Sequence, residues 1–493
     1  MSSSSSISSD TAIQTGDDLD YDGLIFEDRV HQRLYTDETI FRQEMNKIFG
    51  GVWVYLAHES QIPENDHFVT SRLGLRPIIV VRDTSGHIRA LYNRCTHRGA
   101  TVCRHTQGKA KSFACPYHGW SYFNSGKLSG VPWPDGYADD FSDPKYNLAQ
   151  VPRVKSYRGF IFGTLNPKMP SLEEYLGGIK KPLDQWLDRH PGGKISFCDA
   201  NRLKFNGNWK LLYDNSADGY HVVFSHRSLL AMENRLVEGE EEDKGMAYYK
   251  TNPDNAPFYV KVFENGHHYK DKRPAVDTSP GGLWRIEGPH PGMEHYEAAI
   301  RQKLGDRANA VLDLASSEPI NINIFPNLHI LGNHVQVSQP ISLKETDTTW
   351  WGTAVIDEDD ELGGCVGAVN ALRMRTQESF PNFGEIDDLM NFEQIQTGLA
   401  GIEDEWIYMH RGLGIPGRIK RDDDGYLIGP PTDEVFLRET MQVYKNLMID
   451  LKTVNDKLID RGIRIISEVT GLQYDKAKHR LFEANRSVKS AIV

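Results

Sequence analysis

Two short segments of the chain each place one cysteine and one histidine close together. Residues 95–99 read CTHRG and residues 115–119 read CPYHG, with seventeen residues between the first histidine and the second cysteine. Two thiolates and two imidazoles can bind a [2Fe-2S] cluster, with both sulfurs on one iron and both nitrogens on the other. The glycine that ends each segment permits a tight turn, so that backbone N–H groups can point at the cluster. The predicted ligands are Cys95, His97, Cys115 and His118.

A structural zinc ion is the main alternative for these four side chains, because two cysteines and two histidines are a common tetrahedral zinc set. Zinc fingers usually group cysteine with cysteine and histidine with histidine, whereas each segment here contributes one of each. The mixed arrangement suits a cluster with two different irons and favours it over zinc. Cys103 lies nearby but is surplus to a complete set, so we expect it to be a small buried hydrophobe.

A second group of candidate metal ligands lies in residues 208–226, where Asp218 is followed by His221 and His226. Asp218 and His221 are three residues apart and would share a face of a helix. The two histidines are five residues apart and would be rotated by about 140° on a regular α-helix. Both can bind one ion only if the helix is interrupted, and we predict a break near residues 222–225.

A third ligand is needed beside the two histidines. Two neutral histidines and one carboxylate on one face of Fe(II) leave open positions where O2 and a substrate can meet. Residues 383–394 have helical spacing and contain the adjacent carboxylates Asp387 and Asp388. Neighbouring residues on a helix point about 100° apart, so at most one of them faces the metal, and the spacing alone does not choose between them.

Together, the two groups of residues resemble the alpha (large) subunit of Rieske non-haem iron aromatic ring-hydroxylating oxygenases, and the resemblance covers most of the chain. Ala100 and Tyr117 stand where respiratory Rieske proteins carry additional cysteines, and Trp120 stands where high-potential proteins carry a serine. The two loops are therefore similar to those of the lower-potential oxygenase class. Asp214 is a small departure, because the family usually has glutamate at that position.

The resemblance implies roles for the second group of residues. His221 and His226 would bind the catalytic iron, and the second aspartate of the family's E-x-D-D helix, which maps to Asp388, would be the third ligand. Asp218 would link a cluster histidine of one subunit to His221 of the next subunit, and so carry electrons across the interface of a trimer. The assembly would be a homotrimer or a trimer completed by a small beta subunit.

The resemblance also implies a reaction and its partners. A separate reductase, sometimes acting through a ferredoxin, would deliver NADH-derived electrons to the cluster and then to the mononuclear Fe(II). With O2, the usual product is a cis-dihydrodiol of an aromatic compound that is being catabolised. The alternatives are monooxygenation, for example of an aromatic acid, and a Rieske electron carrier without catalytic activity.

The composition limits the kinds of partner. The formal charge of −12 at pH 7 argues against nucleic acid and anionic membranes, because both attract a basic surface. No stretch approaches the ~20 apolar residues of a membrane-spanning helix. The odd and sparse set of 5 cysteines does not resemble a secreted disulfide framework and favours a reducing cytoplasm. Residues 1–18 are rich in serine and are predicted to be a flexible tail.

The elements that must position these residues indicate an α+β fold. Short β-like runs separated by turn residues predict a small all-β domain, including a hairpin with its turn at Asp83–Gly86. The resemblance implies that this is the Rieske domain, over residues 50–166. A helix is predicted just before it, over Thr36–Phe49. We expect the all-β domain to be inserted into a larger catalytic domain formed by residues 19–49 and 167–493, with an antiparallel sheet flanked by helices.

Further elements and pocket residues are predicted in the catalytic domain. Strands are expected over Asn321–Ile330, Val335–Ile341 and Trp350–Ile356, and a long helix is expected to begin after Thr432 and end at Gly462. Some residues near the predicted ligands could line a substrate pocket, although a place in the core is the simpler interpretation. They are Phe224, Leu229, Leu230, Met232, Ile324, Phe325, Asn327, Leu328, Phe380 and Phe383, and Arg285, Arg373 and Arg375 could pair with a carboxylated aromatic.

Metal analysis of the purified protein separates these interpretations. An oxygenase is expected to contain about three irons and about two acid-labile sulfides per chain, and an electron carrier about two of each. A zinc-stabilised protein would contain neither iron nor sulfide. A colourless, zinc-rich preparation would contradict the cluster and the iron site together.

Overall fold

The computed structural model describes residues 19–188, 193–227, 258–272, 293–309, 320–356, 384–402, 405–449 and 470–483, and the single positions 370, 463, 466 and 467. The α-helices in these ranges are α1 (Arg33–Thr36), α2 (Glu38–Lys47), α3 (Leu172–Leu176), α4 (Lys180–Asp188), α5 (Lys210–Asn215), α6 (Val222–Ser225), α7 (Met293–Leu304), α8 (Glu385–Leu399), α9 (Val435–Met448) and α10 (Tyr474–Glu483).

The strands in the same ranges form several antiparallel sheets. In chain order they are β1 (Arg29–His31), β2 (Val54–His58), β3 (His67–Leu73), β4 (Arg76–Arg82), β5 (Ile88–Tyr92), β6 (Gln107–Lys109), β7 (Ser112–Ala114), β8 (Ser121–Phe123), β9 (Leu128–Gly130), β10 (Arg153–Tyr157), β11 (Phe160–Thr164), β12 (Ile195–Phe205), β13 (Tyr259–Val262), β14 (His268–Asp271), β15 (Ile320–Ile324), β16 (Leu328–Leu331), β17 (His334–Ser342), β18 (Glu345–Val355), β19 (Trp406–Tyr408), β20 (Lys420–Arg421) and β21 (Leu427–Gly429).

The sheets divide the molecule into a small and a large part, as the α+β prediction requires. In the small part, one sheet has the order β5-β4-β3-β6 and a second has the order β7-β8-β9. Among the described residues, the large sheet has nine strands in the order β12-β18-β17-β16-β15-β14-β13-β21-β20. The small all-β part follows helix α2 along the chain and is therefore inserted into the larger part.

The predicted hairpin of the small part is confirmed. β4 and β5 pair in antiparallel register, and Asp83 Oδ1 accepts hydrogen bonds from Ser85 N at 2.9 Å and His87 N at 3.0 Å. Gly86 adopts a φ of +86°, which a residue with a side chain rarely adopts. The turn between the two strands is thus specified by its own residues.

The predicted helix before the small part is also confirmed, as α2. Asp37 caps its N-terminus, because Asp37 Oδ1 accepts from Thr39 N at 2.8 Å and Ile40 N at 3.3 Å. Ile40, Phe41 and Met45 recur at helical spacing and are buried in the main core. The helix before the insertion therefore packs into the large part of the molecule.

A buried charged cluster joins α2 to helices α5 and α9. Glu44 accepts hydrogen bonds from Trp209 Nε1 at 2.9 Å, Lys210 Nζ at 2.5 Å and Tyr444 Oη at 2.6 Å. Burial lowers the pKa of Lys210, although the nearby Glu44 carboxylate opposes the shift. Because neither charge reaches water, each depends on the other for stability.

Two parts of the catalytic domain differ from the prediction. Residues 321–330 form the two strands β15 and β16, and the single strand predicted over Asn321–Ile330 is wrong. Pro326 lies in the turn between them, where its missing N–H and fixed φ suit a strand end. The C-terminal helix ends at Met448, followed by Ile449 with φ −77° and ψ 133°, so one helix reaching Gly462 is wrong as well.

The other predicted strands are present. Val335–Ile341 lies within β17, and most of Trp350–Ile356 lies within β18, which begins earlier at Glu345. Among the described helices, none combines the length and the apolar composition that crossing a bilayer requires.

Replacing Lys210 tests the buried cluster. Lys210→Met is expected to lower the free energy of unfolding by about 3 kcal/mol, because it leaves Glu44 buried without its cation. The midpoint of urea unfolding, followed by far-UV circular dichroism, measures the loss. A double variant, Glu44→Met with Lys210→Met, removes both charges and is expected to recover more than half of that loss. Equal midpoints for the single variant and the wild type would contradict the interpretation.

Candidate metal centres

The two loops of the small part have matching backbone geometry. Gly99 and Gly119 adopt φ values of +78° and +72°, and each donates its N–H to the carbonyl of the preceding cysteine at 2.9 Å. These cysteines are Cys95 and Cys115, which lie in the core of the small part together with Cys103. The predicted tight turn behind each cysteine and histidine pair is therefore present.

The four side chains of these loops fit a [2Fe-2S] cluster. Cys95 and Cys115 are buried and not disulfide-bonded, and the rings of His97 and His118 lie with their centroids 4.8 Å apart. The His97 ring stacks on Trp120, which fixes its orientation. His97 Nδ1 is buried without a hydrogen-bond partner among the described residues. A buried nitrogen of this kind is costly unless a ligand satisfies it, as a cluster iron would.

Tyr122 is a contact of the first loop that the sequence did not reveal. Its hydroxyl lies 3.2 Å from Cys95 Sγ and accepts a hydrogen bond from Thr96 N at 3.2 Å. Burial and the Cys95 contact raise the pKa of Tyr122, so it stays protonated and can donate to sulfur. Hydrogen bonds to cluster sulfurs tune the reduction potential.

His221, His226 and Asp388 converge in the large part of the molecule. One candidate ligand atom from each lies within 4.8 Å of the other two. His226 Nε2 lies 3.3 Å from both His221 Nε2 and Asp388 Oδ1, and His221 Nε2 lies 3.6 Å from Asp388 Oδ1. The exposed fractions of the three side chains are 17%, 5% and 7%. Two imidazoles and one carboxylate directed at one point match the donor set of a mononuclear Fe(II).

The geometry favours Asp388 over its neighbour Asp387. Asp387 Oδ2 lies 3.6 Å from His226 Nδ1, on the far side of that ring, and its side chain is 31% exposed. Asp388 lies in the first turn of α8 and points inward. Asn215, the last residue of α5, donates a hydrogen bond to Asp388 and so links the two segments that supply the candidate ligands.

The backbone around the histidines differs from the predicted arrangement. Helix α5 ends at Asn215, and residues 216–221 are not helical, so Asp218 and His221 do not share a helical face. Residues 222–225, where a break was predicted, form the single turn α6. The interruptions flank that turn, since His221 precedes it and His226 follows it with φ −96° and ψ 33°. Because the backbone is not regular helix on either side of α6, both imidazole rings can point toward one ion, which was the reason for predicting an interruption.

Asp218 orients His221 through a side-chain hydrogen bond. Asp218 Oδ2 lies 3.0 Å from His221 Nδ1, and Asp218 Oδ1 accepts from Tyr220 N at 2.6 Å. Burial favours a higher pKa for Asp218, but the hydrogen bond and charge of His221 outweigh it and hold the pKa below its usual value. An ionised Asp218 accepts a hydrogen bond from His221 Nδ1–H and leaves His221 Nε2 free to bind a metal.

Burial raises the pKa of Asp388, and the two histidines offset that effect only in part. Burial also lowers the pKa of His226. A divalent cation favours the ionised carboxylate and the neutral imidazoles at the same time. The electrostatics of Asp388 and His226 therefore fit a resident metal ion. Burial lowers the pKa of His221, but Asp218 outweighs that effect and raises it, so a bound cation would have to displace a proton from His221.

Both parts of the chain match known families. Residues 52–157 match the Rieske [2Fe-2S] domain, and residues 186–448, more than half of the chain, match the catalytic domain of the ring hydroxylating alpha subunit. The chain belongs to the ring-hydroxylating alpha-subunit family. This alpha subunit is a Rieske non-haem iron oxygenase, with a [2Fe-2S] cluster implied by one domain and a mononuclear iron by the other.

Individual relatives cover most of the alpha subunit. The 2-halobenzoate 1,2-dioxygenase large subunit of Burkholderia cepacia is 33% identical over 80% of this chain and 82% of that protein. The toluate 1,2-dioxygenase subunit alpha of Pseudomonas putida is 34% identical over 78% and 83%, respectively. A solved structure of naphthalene 1,2-dioxygenase with indole bound matches with a TM-score of 0.69 and 25% identity, covering 85% of this chain and 92% of that one.

The predicted pocket residues have different positions in the alpha subunit. Phe224 is 61% exposed, whereas Ile324, Phe325 and Leu328 are buried in the main core. Asn327 Oδ1 accepts a hydrogen bond from Tyr55 N and Asn327 Nδ2 donates to the Tyr55 carbonyl, both at 3.0 Å. Asn327 thus connects the turn between β15 and β16 to strand β2. The remaining candidates lie outside the described residues: Leu229, Leu230, Met232, Phe380, Phe383, Arg285, Arg373 and Arg375.

Paired substitutions distinguish the two adjacent aspartates. Asp388→Ala is expected to reduce the iron content from about three to about two per chain, with sulfide unchanged at about two, because it removes one donor of the mononuclear site. Asp387→Asn is the control, because it keeps a polar side chain of the same length beside His226 Nδ1, and it is expected to retain all of the iron. Iron loss in the control, or an unchanged iron content in Asp388→Ala, would contradict the assignment.

Proposed function

We propose that this alpha subunit is the terminal oxygenase component of a multicomponent aromatic ring-hydroxylating dioxygenase. With NADH-derived electrons and O2, it would convert an aromatic compound to a cis-dihydrodiol in a catabolic route. The observation that carries the proposal is the convergence of two imidazole nitrogens and a carboxylate oxygen in a chain that also has the two Rieske loops. An electron carrier would have no use for the second site.

The proposed ligand assignment uses all of the predicted site residues. In the Rieske domain, over residues 50–166, Cys95 and Cys115 would bind one iron and His97 and His118 the other. In the catalytic domain, over residues 19–49 and 167–493, His221, His226 and Asp388 would bind the mononuclear iron. When bound, the cluster supplies single electrons and the mononuclear Fe(II) activates O2.

The protein side chains contribute orientation and charge. Asp218 would accept a hydrogen bond from His221 Nδ1–H, which selects the tautomer whose Nε2 can bind a metal. The hydrogen bond from Asn215 holds the Asp388 carboxylate beside both histidines. His221 precedes α6, His226 follows it and Asp388 lies on α8. A set of two imidazoles and one carboxylate would leave other positions of the iron for O2 and substrate.

Asp218 is also the proposed connection between subunits. Its side chain is 27% exposed although it bonds His221, so one side of the carboxylate remains accessible. A cluster histidine from a second copy of the chain could donate to that side in a trimer, which would be a homotrimer or one completed by a small beta subunit. The relatives carry the names large subunit and subunit alpha, which supports a multisubunit assembly.

The electron donors proposed for the alpha subunit are an NADH-dependent reductase and, in some systems, a ferredoxin. The relatives are named as 1,2-dioxygenases, which supports O2 as the oxidant and an aromatic compound as the substrate. Among the described residues, Cys95, Cys103, Cys115 and Cys198 form no disulfide, which supports the proposed cytoplasmic location.

Monooxygenation is the second candidate reaction. The N,N-dimethyl phenylurea N-demethylase subunit alpha of a Sphingobium strain is 34% identical over 62% of this chain and 65% of that protein. Demethylation is the outcome expected when one oxygen atom is inserted at a methyl group. The name of this relative therefore supports monooxygenation as the alternative reaction.

Oxygen labelling tests the proposed reaction. The alpha subunit, reconstituted with a reductase and supplied with 18O2 and an arene, is expected to form a diol that carries two labelled oxygen atoms. Mass spectrometry of the product distinguishes this outcome from monooxygenation, which incorporates one labelled atom. Absence of any labelled product from a metal-replete enzyme would rule the proposal out.

Asp218→Ala is the informative variant in the same assay. The variant is expected to keep the cluster and the mononuclear iron, and its turnover rate is expected to fall at least about tenfold. The reason is that His221 loses its orienting partner and the proposed connection between subunits is removed. Normal product formation by a fully loaded Asp218→Ala variant would remove the connection from the mechanism.

A further inference from the structure

Strands β15, β16 and β17 bury polar side chains on one face of the large sheet. Most of their apolar residues alternate toward the main core, and the polar residues between them point to the opposite face, together with Leu331. We call the second set the polar floor: Asn321, Asn323, His329, His334, Gln336 and Ser338, each at most 8% exposed. Antiparallel sheets commonly turn such a polar face to water. Here the face is covered, so it requires partners inside the protein.

The polar floor contacts both segments that carry the proposed iron ligands. Asn321 Nδ2 donates to the carbonyl of Ser216, two residues before Asp218, at 3.1 Å. Gln336 Nε2 donates to Glu385 Oε1, one helical turn before Asp388, at 2.8 Å. The floor therefore adjoins the space next to the proposed iron, where a substrate must bind.

Several atoms of the polar floor are buried and without a hydrogen-bond partner among the described residues. They are Asn321 Oδ1, Asn323 Nδ2, His329 Nε2 and Ser338 Oγ. Buried polar atoms are nearly always paired with protein, ordered water or a ligand. Asn323 and His329 are directly paired across β15 and β16, so two of these atoms lie side by side, and they indicate that a polar group binds there.

The hydrogen bond between Asn323 and His329 defines what that group must offer. His329 Nδ1 lies 2.9 Å from Asn323 Oδ1, and burial lowers the pKa of His329 to about 3, so the ring is neutral. With the proton on Nδ1, the pair presents the Asn323 amide as donor and His329 Nε2 as acceptor. If the Asn323 amide is reversed and the proton moves to Nε2, the pair still presents one donor and one acceptor.

We propose that the Asn323–His329 pair selects aromatic substrates with an uncharged substituent that both donates and accepts hydrogen bonds, such as a carboxamide. The proposal rests on the proposed ring-hydroxylating function and narrows its substrate class. A carboxylate offers two acceptors and a charge, and fits the pair less well. Lys270 lies beside Asn321 in the sheet, but its Nζ donates to the carbonyl of Asp218 at 3.3 Å.

Four benzene derivatives of similar shape test the preference by anaerobic calorimetry on the metal-replete enzyme. Benzamide donates and accepts, nitrobenzene only accepts, benzoate accepts and is charged, and isopropenylbenzene does neither. Benzamide is expected to bind about tenfold or more tightly than each of the others, because they leave a floor atom unpaired. Equal dissociation constants across the set would overturn the proposal and would mean that the polar floor binds only structural water. Tightest binding of benzoate would overturn it as well.

Variants separate recognition from folding. Asn323→Leu and His329→Phe are each expected to bring the ratio of the benzamide and isopropenylbenzene dissociation constants close to one, while isopropenylbenzene binding persists. Gln339→Leu is the matched control, since residue 339 follows the alternation of β17 to the opposite face, and its ratio is expected to stay at the wild-type value. Equal changes in all three variants would overturn the proposal.

Product analysis with the same compounds separates the two proposals. Selective binding of benzamide without any hydroxylated product would contradict the proposed function but would support the polar floor as a binding site. Hydroxylation of all four compounds with equal efficiency would retain the function and overturn the selection by the floor.

Discussion

The interaction on which this structure depends is the close approach of three electron-rich atoms in a mostly buried site. His221 Nε2, His226 Nε2 and Asp388 Oδ1 lie within 4 Å of one another, and each would be better solvated in water. Without a cation their lone pairs repel, so the surrounding protein must hold them in place. Asp218 fixes one imidazole, Asn215 holds the carboxylate, and the polar floor contacts both segments from below.

The elements that carry these atoms are themselves anchored far from the site. Helix α5 begins with Lys210, whose ammonium meets Glu44 of α2, and Gln396 of α8 accepts a hydrogen bond from Asn208 N at 2.8 Å. Asn208 also donates to the carbonyl of Tyr35. Segments distant in sequence therefore share one rigid support. The insertion of the Rieske domain after α2 leaves that support intact, because the chain returns to the same core.

Local sequence patterns indicated which side chains come together more closely than they indicated the bounds of the helices and strands around them. The types and spacing of Cys95, His97, Cys115 and His118 are properties of short loops, and their turns are fixed by glycines within the same loops. The break around His221 and His226 follows from the need for both rings to reach one point, but its position depends on contacts with α8. Helical spacing did not choose between Asp387 and Asp388, and only the family resemblance pointed to Asp388. Packing decides which face of α8 turns inward, and it places Asp388 beside both histidines.

Other features could not be predicted because they arise between distant segments. Tyr122 reaches Cys95 only after the β-strands of the Rieske domain pair, and the polar floor is visible only when helix α8 and the segment before α6 cover it. The hairpin of β15 and β16 did have a local signal, Pro326, which the prediction of a single strand over Asn321–Ile330 did not take into account. Hydrophobic alternation alone does not reveal where a chain turns back on itself.

The Glu44 cluster has a consequence for the order of events during synthesis. Glu44 precedes the Rieske domain, Lys210 follows it, and Tyr444 lies near the end of the described catalytic domain. A nascent chain can complete the short-range pairings of the Rieske domain early, but it cannot close the catalytic core until helix α9 has left the ribosome. During synthesis, the Rieske domain can therefore fold before the core of the catalytic domain is complete.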